Sequence, residues 1–271
     1  MMKHKIYISQ FRPILGDINK NLETHRTIIE KAIEEGCDLV IFPELSLTGY
    51  CLRDLTYDVA INENDSIFKP LLQLSNKISI ILGFVYIDEN HLAYNASAFL
   101  EDGGFKNIHK KVFLPDYTMF EEGRYFAGGR KFKVFDTKFG KTVILICEDA
   151  LNIITIHNIF RKEVSFIVIV SNSPARGVYK NDFYSRSLWY NTNRFISMGC
   201  SSYVTFVNRV GVEEGITFWG GSMIFDPFGT LLHELPLFEN AYKECELDLS
   251  AIKRARISSP FHRNIDKILE D

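Results

Sequence analysis

A short apolar run that ends in three polar residues constrains the fold of this chain most strongly. Residues 143 to 146 (VILI) are consecutive apolar residues, and Cys147, Glu148 and Asp149 follow them directly. An apolar run of this length, rich in β-branched side chains, predicts a buried strand. In layered α/β proteins the ligand crevice lies at the carboxyl ends of the strands. The run therefore predicts a site at this strand end, with Cys147 as the candidate nucleophile.

Two other predicted strands also end in polar residues. Residues 38 to 42 (DLVIF) stop at a proline, which lacks the N–H that a ladder needs, so Glu44 stands just beyond the strand end. Residues 165 to 170 (SFIVIV) form the most apolar predicted strand, and the polar residues 171 to 173 follow it. We therefore expect three strand ends to bring Glu44, Cys147 and residues 171 to 173 into one region.

The remaining periodicity alternates helices with strands, which predicts an α/β architecture. Helical spacing covers residues 22–33, 66–77, 152–162 and 180–198. Strand patterns cover residues 5–10, 78–86, 91–100, 104–109, 202–208, 222–225, 230–235 and 241–247. Beyond residue 247 we expect a tail with little helix. No linker, low-complexity segment or solenoid repeat interrupts the pattern, so residues 1–271 are predicted to form a single domain.

One long segment lacks regular periodicity. It runs from residue 110 to residue 130 and contains Lys110, Lys111, Glu121 and Glu122 together with five aromatic residues. Long loops without secondary structure are uncommon inside compact domains and are often functional. The segment is therefore expected to supply charged side chains to the site.

Composition excludes several classes of partner. The chain has 271 residues, of which 46% are apolar and 24% charged, and its formal net charge is −3. Nucleic acids and anionic membranes are bound by concentrated basic surfaces, so neither partner is expected. No apolar stretch approaches the length that spans a bilayer, and the first residues mix charged and apolar side chains. A cytoplasmic location is the resulting expectation.

The cysteines and histidines do not suggest a disulfide or a metal. Five cysteines are scattered along the chain without a CxxC pair or a Cys/His cluster at zinc spacing. Of the seven histidines only His109 lies near a predicted site segment, so a Cys-His dyad is poorly supported. The predicted site therefore needs another base.

A glutamate and a lysine would supply what the thiol needs. An unperturbed thiol has a pKa of about 8.5 and is mostly protonated at neutral pH, so a nucleophilic Cys147 requires a base or a positive neighbour. Glu44 is the candidate base and Lys111 the candidate cation, with the backbone N–H of Glu148 as a second oxyanion donor. Taken singly, each has a plainer interpretation: an inert buried thiol, a helix cap and a solvated charge.

Three segments resemble the signatures of a known family when they are taken together. Phe42 to Leu45 (FPEL), Lys111 to Pro115 (KVFLP) and Cys147 to Asp149 (CED) resemble, in order and spacing, the three signatures of the nitrilase superfamily, the carbon-nitrogen hydrolases. Shorter segments that also resemble family motifs are residues 48–50, 208–211, 220–222 and 226–229. The resemblance covers nearly the whole chain.

The resemblance implies a Glu-Lys-Cys triad of Glu44, Lys111 and Cys147. It also implies that Glu122 is the additional glutamate that the family frequently has. The spacing to Leu114-Pro115 selects Lys111, and Lys110 is expected to be a surface charge. The fold that the resemblance implies is a four-layer α-β-β-α sandwich, usually dimerised, in which residues 1–271 form one carbon-nitrogen hydrolase domain without metal or organic cofactor.

One branch of the family resembles this chain most in detail. TGYxxxDL at residues 48–55 and the CED segment are similar to the glutamine-hydrolysing amidase domain of NAD synthetases. Two positions depart from that branch: Leu151 stands where a tryptophan is usual, and Pro174-Ala175-Arg176 replaces the usual sequence. No ATP-binding synthetase domain follows in the printed sequence, so we do not expect NAD synthesis by this chain alone. The amide stays unnamed.

These observations predict hydrolysis of a small linear amide through a cysteine thioester, with release of ammonia or an amine. Glu148, Tyr117, Ser173 and Arg176 are the candidate oxyanion or substrate contacts. Arg176 is a candidate partner for a substrate carboxylate, with a surface role left open. The expected partners are a small-molecule amide and a second copy of the chain. Alternatives are an N-carbamoyl-amine hydrolase, a nitrilase, transfer to an acceptor other than water, and a noncatalytic binding protein.

Overall fold

The first half of the chain is built from five strands and two helices. The computed structural model describes residues 3–179 and 182–261. A side-chain oxygen of Asp17 accepts a hydrogen bond from the N–H of Lys20 and thereby caps the first helix. The elements are β1 (Lys3–Gln10), α1 (Ile18–Glu34), β2 (Leu39–Ile41), α2 (Lys69–Leu74), β3 (Ser79–Ile87), β4 (Ala93–Glu101) and β5 (Gly104–Lys110).

The second half of the described chain begins with a one-turn helix inside the segment that lacks periodicity. Its elements are α3 (Glu122–Tyr125), β6 (Phe135–Thr137), β7 (Gly140–Ile146), α4 (Ile153–Arg161), β8 (Phe166–Ser171), β9 (Val178–Tyr179), β10 (Asp182–Phe183), α5 (Tyr184–Cys200), β11 (Tyr203–Asn208), β12 (Val210–Glu213), β13 (Ile216–Trp219), β14 (Met223–Phe225), β15 (Leu231–Glu234), β16 (Ala241–Asp248) and α6 (Ser250–Ser258). A 3-10 turn, Cys147–Leu151, follows β7 directly.

Two six-stranded mixed sheets carry the fold. The first has the order β16-β1-β2-β3-β4-β5, and the second has the order β15-β14-β11-β8-β7-β6. The three strands β1, β2 and β3 are parallel, as are β7, β8 and β11, while the outer strands pair antiparallel. Each sheet therefore has a parallel centre whose strand ends point the same way, which is where ligand sites form.

The sheets pack face to face with helices outside. Side chains from both sheets share one buried cluster, which includes Ile8, Ile41, Ile146 and Val168. The other face of the first sheet packs against α1 and α2, and that of the second against α4 and α5. The predicted α-β-β-α sandwich is thus confirmed. No helix among the described residues is both long enough and apolar enough to span a membrane.

The C-terminal part differs from the prediction, because a helix follows β16. Residues 250–258 are helical, whereas a tail with little helix was expected. Ala251 and Ile252 pack into the cluster between the sheets, and an oxygen of Asp248 accepts from the N–H of Ser250 at 3.0 Å. The helix has only nine residues, so its apolar spacing is too short to stand out in the sequence.

The bounds of other elements differ from the predicted bounds by a few residues. The predicted helix 66–77 is a 3-10 turn followed by α2, and the predicted helix 180–198 is α5, which begins at Tyr184. Lys180 and Asn181 lie outside the described residues. The strands β6, β12 and β13 were not predicted; they have three or four residues each, which leaves little pattern to detect.

Candidate active site

Glu44 lies just past β2 and is held by three donors. Its Oε1 accepts from Lys111 Nζ at 2.8 Å and from Asn95 Nδ2 at 2.7 Å, while its Oε2 accepts from the N–H of Asn172 at 2.6 Å. The residue is 1% exposed. Three hydrogen bonds to a buried carboxylate fix its orientation.

Lys111 follows β5 and lies between two carboxylates. Its Nζ donates to Glu44 and, at 2.7 Å, to Glu122 Oε1. Burial alone would lower the pKa of this ammonium, but the two carboxylates outweigh it and hold the pKa well above the usual value. Lys110 was expected to be a surface charge; it is half-buried, with its ammonium 3.8 Å from the centre of the Tyr94 ring. The two lysines thus face different surroundings.

Glu122, at the start of α3, has one oxygen in use and one without a partner. Oε1 accepts from Lys111 and, at 2.7 Å, from the hydroxyl of Tyr50. Oε2 is buried and has no hydrogen-bond partner among the described residues. Burial raises the pKa of Glu122 to about 7 against the opposing effect of Lys111. The free oxygen is available to a ligand N–H or a water.

Cys147 is the first residue after β7 and turns the chain sharply. Its φ of 44° lies in the left-handed region, which costs a non-glycine residue about 1–3 kcal/mol. The Ser171 hydroxyl donates to its Sγ at 3.3 Å. Burial raises the pKa of the thiol, Glu44 raises it further and Lys111 opposes the rise, so the thiol is protonated at neutral pH. It needs a base in order to react.

The end of β8 joins the thiol to the acid. Ser171 contacts Cys147 through its side chain, and the next residue, Asn172, donates its N–H to Glu44. Glu44 and Cys147 therefore touch consecutive residues of one segment. The structure thus brings Glu44, Lys111, Glu122 and Cys147 into a single cluster. A thiol that attacks a carbonyl carbon requires a base and a cation nearby, and this cluster contains both.

Three of the predicted oxyanion or substrate contacts meet at a more exposed place. The Tyr117 hydroxyl donates to Glu148 Oε2 at 2.9 Å, and burial together with this bond raises the pKa of Tyr117 to about 12. The guanidinium of Arg176 lies 5.7 Å from the Tyr117 ring and 5.2 Å from the Phe120 ring. A carboxylate, a phenol and a guanidinium therefore stand side by side.

Ser173 has a different environment. Its hydroxyl oxygen accepts from the indole N–H groups of Trp189 at 2.8 Å and Trp219 at 3.2 Å, and its own N–H donates to Asn208. The hydroxyl that contacts the thiol is that of Ser171 instead. A substrate-binding role for Ser173 stays a prediction.

Several polar residues of the cluster were missed in the sequence. Tyr50 belongs to the TGY segment that was noticed but given no role, whereas Asn95 is a polar residue in an otherwise apolar strand, which is a detectable signal. Asp149 is fully buried and accepts from the backbone after Lys111 and from His109. His109 thus contacts an acid two residues after the thiol. In the part of the chain that the structure describes, no group of three or more His, Cys, Asp or Glu is placed to bind a metal ion.

Comparison with known proteins decides the family. The family model described as carbon-nitrogen hydrolase matches residues 5–257. The chain belongs to the carbon-nitrogen hydrolase family. The chain is 29% identical over 258 residues to the glutamine-dependent NAD(+) synthetase of Acinetobacter baylyi, and the match covers 95% of the chain but 46% of that relative. The chain thus spans about half the length of such relatives.

Other relatives match over their full length. A probable nitrilase of Schizosaccharomyces pombe is 28% identical over 280 residues, with 100% of this chain and 96% of the relative covered. A solved amidase from Nesterenkonia sp. superposes with a TM-score of 0.80 over 96% of the chain and 95% of its own, at 19% identity, which shows likeness of fold alone. The two curated relatives therefore differ in the activity that their names give.

Proposed function

We propose that this chain hydrolyses a small linear amide through a thioester on Cys147, releasing ammonia or an amine and a carboxylic acid. The observation that supports the proposal most directly is the buried row Glu44, Lys111 and Glu122, in which Lys111 Nζ lies 2.8 Å and 2.7 Å from the two carboxylates beside the thiol. Burial of two acids around one ammonium is costly for stability alone, so the row is explained by chemistry that needs it.

In the first half of the proposed reaction, Glu44 takes the proton of Cys147 while the sulfur attacks the amide carbonyl. Because the pKa of the thiol is raised, thiolate does not accumulate and proton transfer accompanies the attack. Lys111 and the N–H of Glu148 stabilise the oxyanion. The carbon-nitrogen bond then breaks, the proton on Glu44 passes to the leaving nitrogen, and an acyl thioester remains.

In the second half, Glu44 removes a proton from water as the water attacks the thioester carbon. The carbon-sulfur bond breaks, the thiol is restored with that proton, and the acid leaves. Glu122 assists the reaction by orienting its partners. Its Oε1 holds Lys111, and its unpartnered Oε2 accepts a hydrogen bond from the amide N–H or from the incoming water. Both halves thus use the same four side chains.

For the substrate we propose an amide with a charged far end. Arg176 is a partner for a carboxylate and Glu148 for an ammonium, and Tyr117 lies between them. Relatives named for glutamine dependence support testing a glutamine-like ω-amide first. N-carbamoyl amines have the same kind of carbonyl carbon bonded to nitrogen, so they belong in the same test.

The decisive experiment measures ammonia release across ω-amides, N-carbamoyl amines and nitriles, together with the intact mass of the protein during turnover. We expect release with at least one amide and an acyl mass adduct that maps to Cys147. The variant Cys147→Ala should lose both signals. Turnover that persists in Cys147→Ala would disprove the nucleophile, and ligand binding without any turnover would favour a noncatalytic protein on this fold.

A further inference from the structure

A fully buried carboxylate ties the segment of Cys147 to the segment of Lys111. Asp149 Oδ1 accepts from the N–H of Val112 at 2.9 Å and of Phe113 at 3.0 Å. Its Oδ2 accepts from the N–H of Ile146 at 3.1 Å. The Asp149 side chain, two residues after the thiol, therefore bonds both to the backbone at the end of β7 and to the backbone just beyond Lys111.

His109 completes the set of donors. Its Nε2 lies 2.7 Å from Asp149 Oδ2, and both side chains are buried, at 2% and 0% exposure. Asp149 accepts at this position, so Nε2 must carry the proton. With four donors, both oxygens of Asp149 are fully used. His109 stands two residues before Lys111, so the chain is bonded to Asp149 on both sides of that lysine.

The position of Lys111 depends on this arrangement. Its Nζ is buried between Glu44 and Glu122, where no solvent compensates for a displaced charge. Glu44 and Glu122 hold the ammonium, and the place of the Lys111 backbone relative to Cys147 decides how far that ammonium lies from the sulfur. That distance follows from where the two backbone segments lie, and Asp149 bonds to both.

We propose that His109 and Asp149 are a positioning pair that sets the distance between the Lys111 ammonium and the Cys147 sulfur. This inference rests on the proposed function, which gives Lys111 its role. The pair acts through Lys111 and does not touch the substrate. Its effect is geometric: a shift of Lys111 by a fraction of an ångström weakens stabilisation of thiolate and oxyanion while leaving the substrate end of the site in place.

The test compares His109→Leu, which has similar volume and no donor, with His109→Gln, whose amide nitrogen reaches the place of Nε2 and donates. Alkylation of Cys147 by iodoacetamide, followed at that cysteine by peptide mass spectrometry, needs no knowledge of the substrate. We expect His109→Leu to slow alkylation about 10- to 100-fold at fixed pH and to lower kcat similarly with KM nearly unchanged. His109→Gln should restore both within about threefold.

Rates are compared between samples with the same circular dichroism spectrum, so that loss of folded protein does not account for a difference. Equal alkylation rates in His109→Leu and wild type, or equal losses in both variants, would overturn the positioning role. If His109→Leu does not fold, Asp149→Asn, which places an NH2 group opposite N–H donors, must show the same slow alkylation. Wild type that alkylates rapidly yet hydrolyses no amide would count against the proposed function, not against the positioning pair.

Discussion

Glu44 and Glu122 flank the same ammonium in different ways. Both oxygens of Glu44 accept hydrogen bonds, from Lys111, Asn95 and the N–H of Asn172, whereas Glu122 leaves Oε2 unpartnered. Full hydrogen bonding favours a charged carboxylate, and burial with one oxygen unpartnered favours a neutral one. The two acids are therefore suited to different roles, a base and a group that changes charge near neutral pH.

Replacement of the proposed base tests its role. Glu44→Gln keeps the shape of the side chain but cannot take a proton, so turnover should fall by about 10²- to 10⁴-fold. Substrate binding, measured by calorimetry with the amide that turns over, should remain. The neighbouring exposed acid provides the control: Glu121→Gln should behave as wild type. Glu44→Gln with normal turnover would contradict the mechanism.

The pH dependence tests the second acid. Below its pKa of about 7 Glu122 is neutral and no longer pairs as an anion with Lys111, so the charged row that the proposed reaction uses is incomplete. Activity should therefore rise as the pH rises through about 7. Glu122→Gln is neutral at every pH, so its kcat/KM between pH 5 and 9 should lack this rise and stay near the acid level of wild type. An unchanged rise in the variant would assign it to another group.

At the level of secondary structure, β3 supports the segment that carries Glu44. A Cβ added at Gly83 would overlap the N–H group of Leu45 and lie 2.7 Å from the carbonyl oxygen of Pro43. Leu45 itself has a φ of 46°, so this turn is already strained. Glycine at this place in the strand lets the chain of Glu44 approach the sheet.

Gly83→Ala should push the Glu44 segment away from the sheet. We expect the free energy of unfolding to fall by about 1–3 kcal/mol and turnover to fall as well, because the overlap is with backbone that cannot rotate away. Denaturant unfolding and the amide assay measure the two effects. Gly104→Ala is the matched control, since a Cβ there meets no atom within 4 Å. Equal free energies of unfolding for Gly83→Ala and Gly104→Ala would show that the Glu44 segment moves away from the added Cβ without a cost in stability.

The shape of the whole molecule raises the question of a partner copy. We propose that residues 1–271 form one domain, because side chains of both sheets share one cluster. The outer layer of the second sheet nevertheless exposes large apolar side chains, on α4 and on α5: Ile153, Ile154, Phe195 and Met198. A contiguous apolar face on a helical layer is typical of an interface. It is the place where we expect the predicted homodimer to form.

A single charge should separate that dimer. Phe195→Glu places a carboxylate in the centre of the face, so the mass from sedimentation should drop from dimer to monomer. Val212→Glu, at an exposed apolar residue of β12, is the control and should leave the mass unchanged. A wild-type protein that sediments as a monomer at micromolar concentration would remove the dimer.

Some features of the fold and site were readable in the sequence. The apolar runs of β2, β7 and β8 predicted buried strands, and their polar ends predicted where Glu44 and Cys147 would stand. The helix α6 was missed because its pattern is short. Lys111 was selected by its spacing to the leucine and proline that follow, although the sequence alone did not show that Lys110 packs on aromatic rings.

The sequence by itself determined the longer strands and most of the longer helices, the kinds of side chain at the strand ends and the resemblance to the family. Those depend on local periodicity and on short motifs, which are patterns between neighbours in the chain. Only the tertiary structure decided that Asp149 holds His109 and the backbone beyond Lys111, and that Tyr50 bonds to Glu122. These partners lie tens of residues apart in the chain, and the packing of the sheets brings them into contact. A local sequence pattern does not show which of many polar groups will meet.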